Sequence, residues 1–239
     1  MKMWMRNLRS RLRQRRTWWR YRTRYPWLPP WGEPKSEADV HPHVPAERAE
    51  LFEAYDMGTT ELEVLNWLNA TIRVLKPESV LETGVANSLG TIALAQACRM
   101  NGRGKVHSVE IDPERCSAAE AKLRHLGLEG QAEIHRDDSQ SFLRTTDLSF
   151  DIGFFDSEPE LRAEEFRICL ERGILRRVAV FHDTSPLRCE SLDGWPSPEE
   201  HRAYRRDLLE LARDPRCSGF FESTLSRGFF CIFLSPPSS

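Results

Sequence analysis

Several ionisable side chains stand where apolar runs of this sequence end. Glu82 and Glu110 close "SVLE" and "KVHSVE", Asp138 follows "QAEIHR", Asp156 closes "FDIGFFD", and His182 and Asp183 close "RVAVFHD". A carboxylate at such a position is a strong acceptor, and Glu110 suits both hydroxyls of a ribose ring. The turn after Glu82 runs Gly84-Val-Ala-Asn-Ser-Leu-Gly90 and lacks the middle glycine of the GxGxxG loop that cradles a pyrophosphate. Glu82 would repel that group in any case, so the turn favours a cationic ligand such as one bearing an ammonium. This weakens a nicotinamide-dependent oxidoreductase as the alternative class.

The elements that must position these residues follow from hydrophobic spacing. "TTELEVLNWLNATIRVL" (59–75) repeats its apolar residues every three or four, as an amphipathic helix does. Strands at "SVLETG", "KVHSVEI", "QAEIHR", "FDIGFFD" and "RVAVFHD" then alternate with helices over 88–100, 113–126, 139–144 and 159–172. Alternation of this kind demands right-handed crossovers and a parallel sheet covered on both faces. "GFFEST", the turn "LSRG" and "GFFCIFL" form a closing antiparallel hairpin. The expected fold is α/β: a Rossmann-like, mostly parallel seven-stranded sheet with helices on both faces and a C-terminal antiparallel hairpin. Ligands of such a sheet collect outside the carboxyl ends of its strands, which is the edge carrying the acids.

"VLETGVANSLGTIALA", "VHSVEIDPE", "HRDDSQSFL" and "FDIGFFD…VAVFHDT" resemble, in order, the motifs of class I S-adenosylmethionine-dependent methyltransferases. The group they are most similar to contains the catechol O-methyltransferase-like enzymes and the macrocin O-methyltransferase and cephalosporin hydroxylase set, over roughly residues 55–235. The resemblance implies transfer of a methyl group from S-adenosylmethionine to a hydroxyl of a small molecule, such as a sugar or natural-product intermediate. It implies that Glu82 and Gly84 line the methionine moiety and that Ala86, Asn87 and Ser88 pass beneath it. Glu110 would hold the ribose, and Asp138, Ser139 and Gln140 would border the adenine, with Asp156 on the same edge. Asp156 and Asp183 match positions that bind a divalent cation such as Mg²⁺ in the metal-dependent members, with His182 and Thr184 as further ligands. Two acids ending adjacent strands would repel one another, which a hard cation relieves. The sequence departs from the pattern at Ser88, where glycine is usual, and at Pro159, where relatives place a histidine or lysine. The second departure argues against a base from that loop and turns attention to His182 and Asp183 as catalytic groups. A non-catalytic S-adenosylmethionine-binding or tethering protein is the alternative reading.

The 239 residues suit one domain with extensions, and 40% of them are hydrophobic without any membrane-spanning run. The six cysteines have no CxxC spacing, and no apolar leader opens the chain, which together point to a reducing, cytoplasmic setting. His41, His43, His107, His125, His135 and His201 show no metal-ligand spacing and are read as structural. Residues 1–24 hold ten Lys or Arg and no acid, leaving 24 basic against 36 acidic residues in the remainder. Residues 1–25 are thus a basic amphipathic arm, 26–45 a Pro-rich linker or strap, and 46–239 the S-adenosylmethionine-binding domain. Trp4, Leu8, Leu12 and Trp19 share one helical face of the arm, opposite Lys2, Arg6, Arg9, Arg13, Arg16 and Arg20. That pattern fits an anionic membrane surface (peripheral attachment), a protein partner or a homo-oligomer contact, and less well a single-stranded nucleic acid.

Overall fold

The computed structural model of the protein describes residues 21, 23–29, 34–40, 51–56, 58–185 and 198–236. The basic stretch 1–20, His41, His43 and the loop around Trp195 lie outside the described residues. Helix α1, Leu62–Leu75, buries Leu62, Leu65, Leu68 and Ile72 on one face and ends at Lys76, in left-handed conformation just before Pro77. Strand β1, Ser79–Thr83, leads into α2, Leu89–Asn101. Strand β2, Lys105–Glu110, leads into α3, Pro113–Leu126, where the Asp112 carboxylate accepts from the Glu114 and Arg115 amides and Pro113 opens the first turn.

Strand β3, Ala132–Arg136, is followed by α4, Ser139–Thr145, and β4, Phe150–Phe155, by α5, Pro159–Arg172. Strand β5, Leu175–His182, precedes α6, Pro198–Leu211, a helix the sequence reading did not anticipate. The hairpin is β6, Cys217–Ser223, with β7, Phe229–Leu234. The seven strands run in the order β3-β2-β1-β4-β5-β7-β6. The first five are mutually parallel, and β7 pairs antiparallel with both β5 and β6.

Alternation along each strand feeds two cores. Val80, Val106, Ile152 and Val178 face α1 and α2, while Leu81, Phe155, Phe181 and Leu208 belong to the opposite core, with α5 and α6. The proline-rich stretch packs as a strap in its described part. Tyr25, Trp27 and Leu28 are buried in the first core, and Lys35–Ser36 pairs antiparallel with Glu53–Ala54. No helix among the described residues is long and apolar enough to cross a membrane.

Candidate functional site

The parallel order reverses at β1, flanked by β2 and β4, and the loop leaving β1 is shaped by close packing. Gly84 has φ +82°, and a Cβ there would lie 2.5 Å from the Asp156 carbonyl oxygen, so no other residue fits. Ala86 (φ 44°) and Ser88 (φ 74°) also take left-handed conformations, which cost L-residues energy. Glu110 holds this strained loop. Its Oε2 accepts the amides of Val85 at 3.0 Å and Ala86 at 3.2 Å, and its Oε1 accepts the amide of Asp112 at 3.0 Å. Two lone pairs per oxygen leave Glu110 one further acceptor position, on Oε1, where bidentate grasp of a ribose would need two.

Glu82 lies beneath the loop. The hydroxyls of Thr91 and Ser108 both donate to its Oε2 at 2.6 Å. A Cβ at Gly90 would come 2.3 Å from its Oε1, so the glycine makes room for the carboxyl. Burial pushes the group up to about 8 against those two donors, with Asp156 and Glu110 adding repulsion. Its charge is therefore largely withheld at neutral pH. Asn87 turns away to donate to Asp56 Oδ1 at 2.8 Å, and Lys122 Nζ caps its carbonyl at 2.6 Å.

A buried ionic network occupies the exits of β4 and β5. His182 Nδ1 stands 3.0 Å from Asp156 Oδ1, and its Nε2 stands 2.5 Å from Glu61 Oε2. Both carboxyls are held low by opposite charges: that of Glu61 by Arg227 and His182, and that of Asp156, down to about 2, by His182 and Arg162, each overcoming desolvation. Each ring nitrogen of His182 thus faces a carboxyl oxygen. Thr60 Oγ1 donates to Asp156 Oδ2 at 2.6 Å.

Arg162 Nη2 lies 3.3 Å from Asp156 Oδ1 and 3.4 Å from Asp183 Oδ2, and it also donates to the Ser157 carbonyl at 2.5 Å. The same guanidinium donates through Nη1 to the His182 carbonyl at 2.5 Å. Arg227 lies 3.5 Å from Asp183 Oδ1, 3.2 Å from Glu61 Oε2 and 2.8 Å from Glu37 Oε1. Burial raises Glu37 to about 7, with Arg227 opposing.

Arg162 corrects the expectation that the carboxylates of Asp156 and Asp183 are unpaired. The ligand atoms of Asp156, His182 and Asp183 do lie within 4.8 Å of one another. A guanidinium already bridges the two acids, however, and the imidazole faces a carboxyl oxygen on each side.

A cavity of about 440 Å³ opens above these groups. Gly84, Ala86, Glu110, Asp138, Ser139, Asp156, His182 and Asp183 line it. Glu82, Asn87, Ser88, Gln140 and Thr184 do not contribute to its lining. The sequence reading missed Thr60, Arg162 and Arg227 in its wall, and Glu61 behind it. Arg162 had a signal: it falls in helical phase with buried Phe166 and Cys169, an unusual place for an unpaired arginine. Arg227, in a hairpin turn, had none. Ile111, 68% exposed, completes the wall beside Glu110.

Residues 81–184 match a family described as a methyltransferase domain. The fold is similar to an S-adenosylhomocysteine-bound methyltransferase of Podospora anserina, with TM-score 0.64, 17% identity, and coverage of 74% of this chain and 80% of that one. It is also similar to the O-methyltransferase TomG of Streptomyces achromogenes, involved in tomaymycin synthesis and solved with S-adenosylmethionine. There the TM-score is 0.63 and the identity 20%, covering 74% and 82%. An O-methyltransferase of Bacillus cereus with S-adenosylhomocysteine gives 0.58 and 18%, covering 74% and 83%. No curated protein matches the sequence.

Proposed function

The chain carries a methyltransferase domain of the class I, Rossmann-like kind, and on that premise we propose that it methylates a hydroxyl oxygen of a small molecule with S-adenosylmethionine. The observation that carries this reading is the cavity at the switch point, with loop 84–88 and Glu110 on one side and the Asp156–His182–Asp183 network on the other. Glu110 keeps one acceptor position for a ribose hydroxyl, and Ile111 offers an apolar surface to a flat base. Gly84 and Ala86 present backbone where the amino-acid portion of the cofactor would pass, and Asp138 and Ser139 border the nucleoside end.

When bound, S-adenosylmethionine supplies an electrophilic methyl group on a sulfonium. The chain's own task is to align the acceptor oxygen, exclude water and take up a proton. Asp183, whose backbone is left-handed at φ 60°, presents its carboxylate to the cavity and is the proposed proton acceptor. His182, held between Asp156 and Glu61, acts as a positioning group. The place of Arg162 between the two acids supports transfer without a divalent cation.

The test is calorimetric binding of S-adenosylmethionine, followed by S-adenosylhomocysteine release across a library of hydroxylated sugars and phenols. Asp183→Asn should bind the cofactor and lose turnover. Absence of cofactor binding by the folded chain would remove the proposal. Binding without turnover on any acceptor would favour a non-catalytic role.

A further inference from the structure

On the far flank of the sheet, three residues that the sequence keeps apart converge on one face. Strands β2 and β3 are parallel and in register, so that His107 stands opposite Glu133, while His135, two residues on, shares the face of Glu133. His107 Nδ1 and His135 Nε2 are 3.1 Å apart, and the ligand atoms of His107, Glu133 and His135 all lie within 4.8 Å of one another. A separation of 28 residues in the sequence hides a pairing that only strand register creates.

We propose that His107, Glu133 and His135 form a binding site for a divalent transition-metal ion, best matched by Zn²⁺, separate from the cofactor cavity. Two imidazoles and one carboxylate are a borderline donor set that suits zinc over magnesium or calcium, and three protein ligands leave a fourth position for water. Two nitrogens on a tetrahedral zinc at about 2.0–2.1 Å stand about 3.3 Å apart, so the pair must open by only a few tenths of an ångström. The rings are already oriented: His135 packs on Phe142 at 4.7 Å between centroids, and His107 meets Phe150 edge-on at 5.9 Å.

Lys105 competes for the carboxylate, its Nζ lying 2.5 Å from Glu133 Oε2. That pair is half exposed, and a divalent ion displaces it at little cost. β3 is the edge strand, so Glu133 meets solvent and the site has an entry path. Asp137, two residues beyond His135, lines the cofactor cavity, so the ion would stiffen the strand that ends there.

The test uses the full chain, stripped of metal by chelation and dialysis. Zn²⁺ is titrated by calorimetry, and Co²⁺ by its visible d–d absorption. The expected result is one ion per chain, with a raised melting temperature. Binding should weaken on the order of 10-fold or more in both Glu133→Gln and His135→Ala. Glu133 is exposed and His135 only half-buried, so both variants should fold, which circular dichroism checks. Failure of the wild-type chain to bind one ion would overturn the proposal. Binding undiminished in both variants would do the same, by locating the ion elsewhere, for example at His41 and His43.

Discussion

Replacing Arg162 with alanine removes the cation that joins the two acids of the candidate site. Arg162 is 2% exposed, pairs with Asp156 and Asp183, and donates to the carbonyls of Ser157 and His182. Breaking a buried ionic network by deleting one partner costs about 3–5 kcal/mol, because the remaining charges stay desolvated. For a chain of this size that corresponds to a fall in melting temperature of roughly 6–20 °C. The same change vacates the position between Asp156 Oδ1 and Asp183 Oδ2. Millimolar Mg²⁺ should therefore raise the melting temperature of Arg162→Ala and leave that of the wild-type chain unchanged. Thermal unfolding with and without Mg²⁺, in both proteins and in Asp183→Asn, measures all of these shifts. A loss below about 1 kcal/mol in Arg162→Ala would refute the network argument. Mg²⁺ stabilisation of the wild type that disappears in Asp183→Asn would show that a cation competes successfully with the guanidinium.

Three further substitutions and a truncation test other parts of the reading. Glu82 has its folded pKa raised to about 8, so its stabilising share is complete below about pH 4.5 and is lost as pH rises through 8. Glu82→Gln should flatten the fall in stability across that window, by up to about 1.4 kcal/mol per pH unit, and identical pH slopes in denaturant titrations would count against it. Ser88→Gly relieves a left-handed residue at φ 74° and should stabilise by about 0.5–1 kcal/mol net of chain entropy; an unchanged or lower melting temperature would contradict this. Glu110→Ala should weaken S-adenosylmethionine by ~10–150-fold, and calorimetry showing wild-type affinity in a folded variant would remove Glu110 from the site. Deleting residues 1–20 should abolish sedimentation with anionic vesicles while sparing cofactor binding, and a full chain that ignores such vesicles at low salt would discard the lipid reading.

The order of elements and the edge of the sheet that carries the acids were legible in the sequence, because strand and helix periods are local properties of neighbouring residues. Caps such as Asp112–Pro113 and stops such as Gly102 and Gly127 are local too, and they bound the helices where the sequence expected. Gly84 and Glu110 were readable for the same reason: each sits at a strand exit whose geometry its immediate neighbours impose. What Glu110 does there was not readable, since two of its three amide partners are 24 and 25 residues away.

Glu61 and Arg227, 166 residues apart, meet only because the hairpin turn folds back over the start of α1, and Arg162 reaches Asp183 only through the packing of α5 on β5. Pairing over such distances placed Arg162 and Arg227 among the acids at the strand exits, and strand register turned two histidines into neighbours. Local sequence thus determined which residues reach the edge of the sheet. Tertiary packing decided which charges are neutralised there, because buried charge is settled by whatever partner the fold brings within a few ångströms.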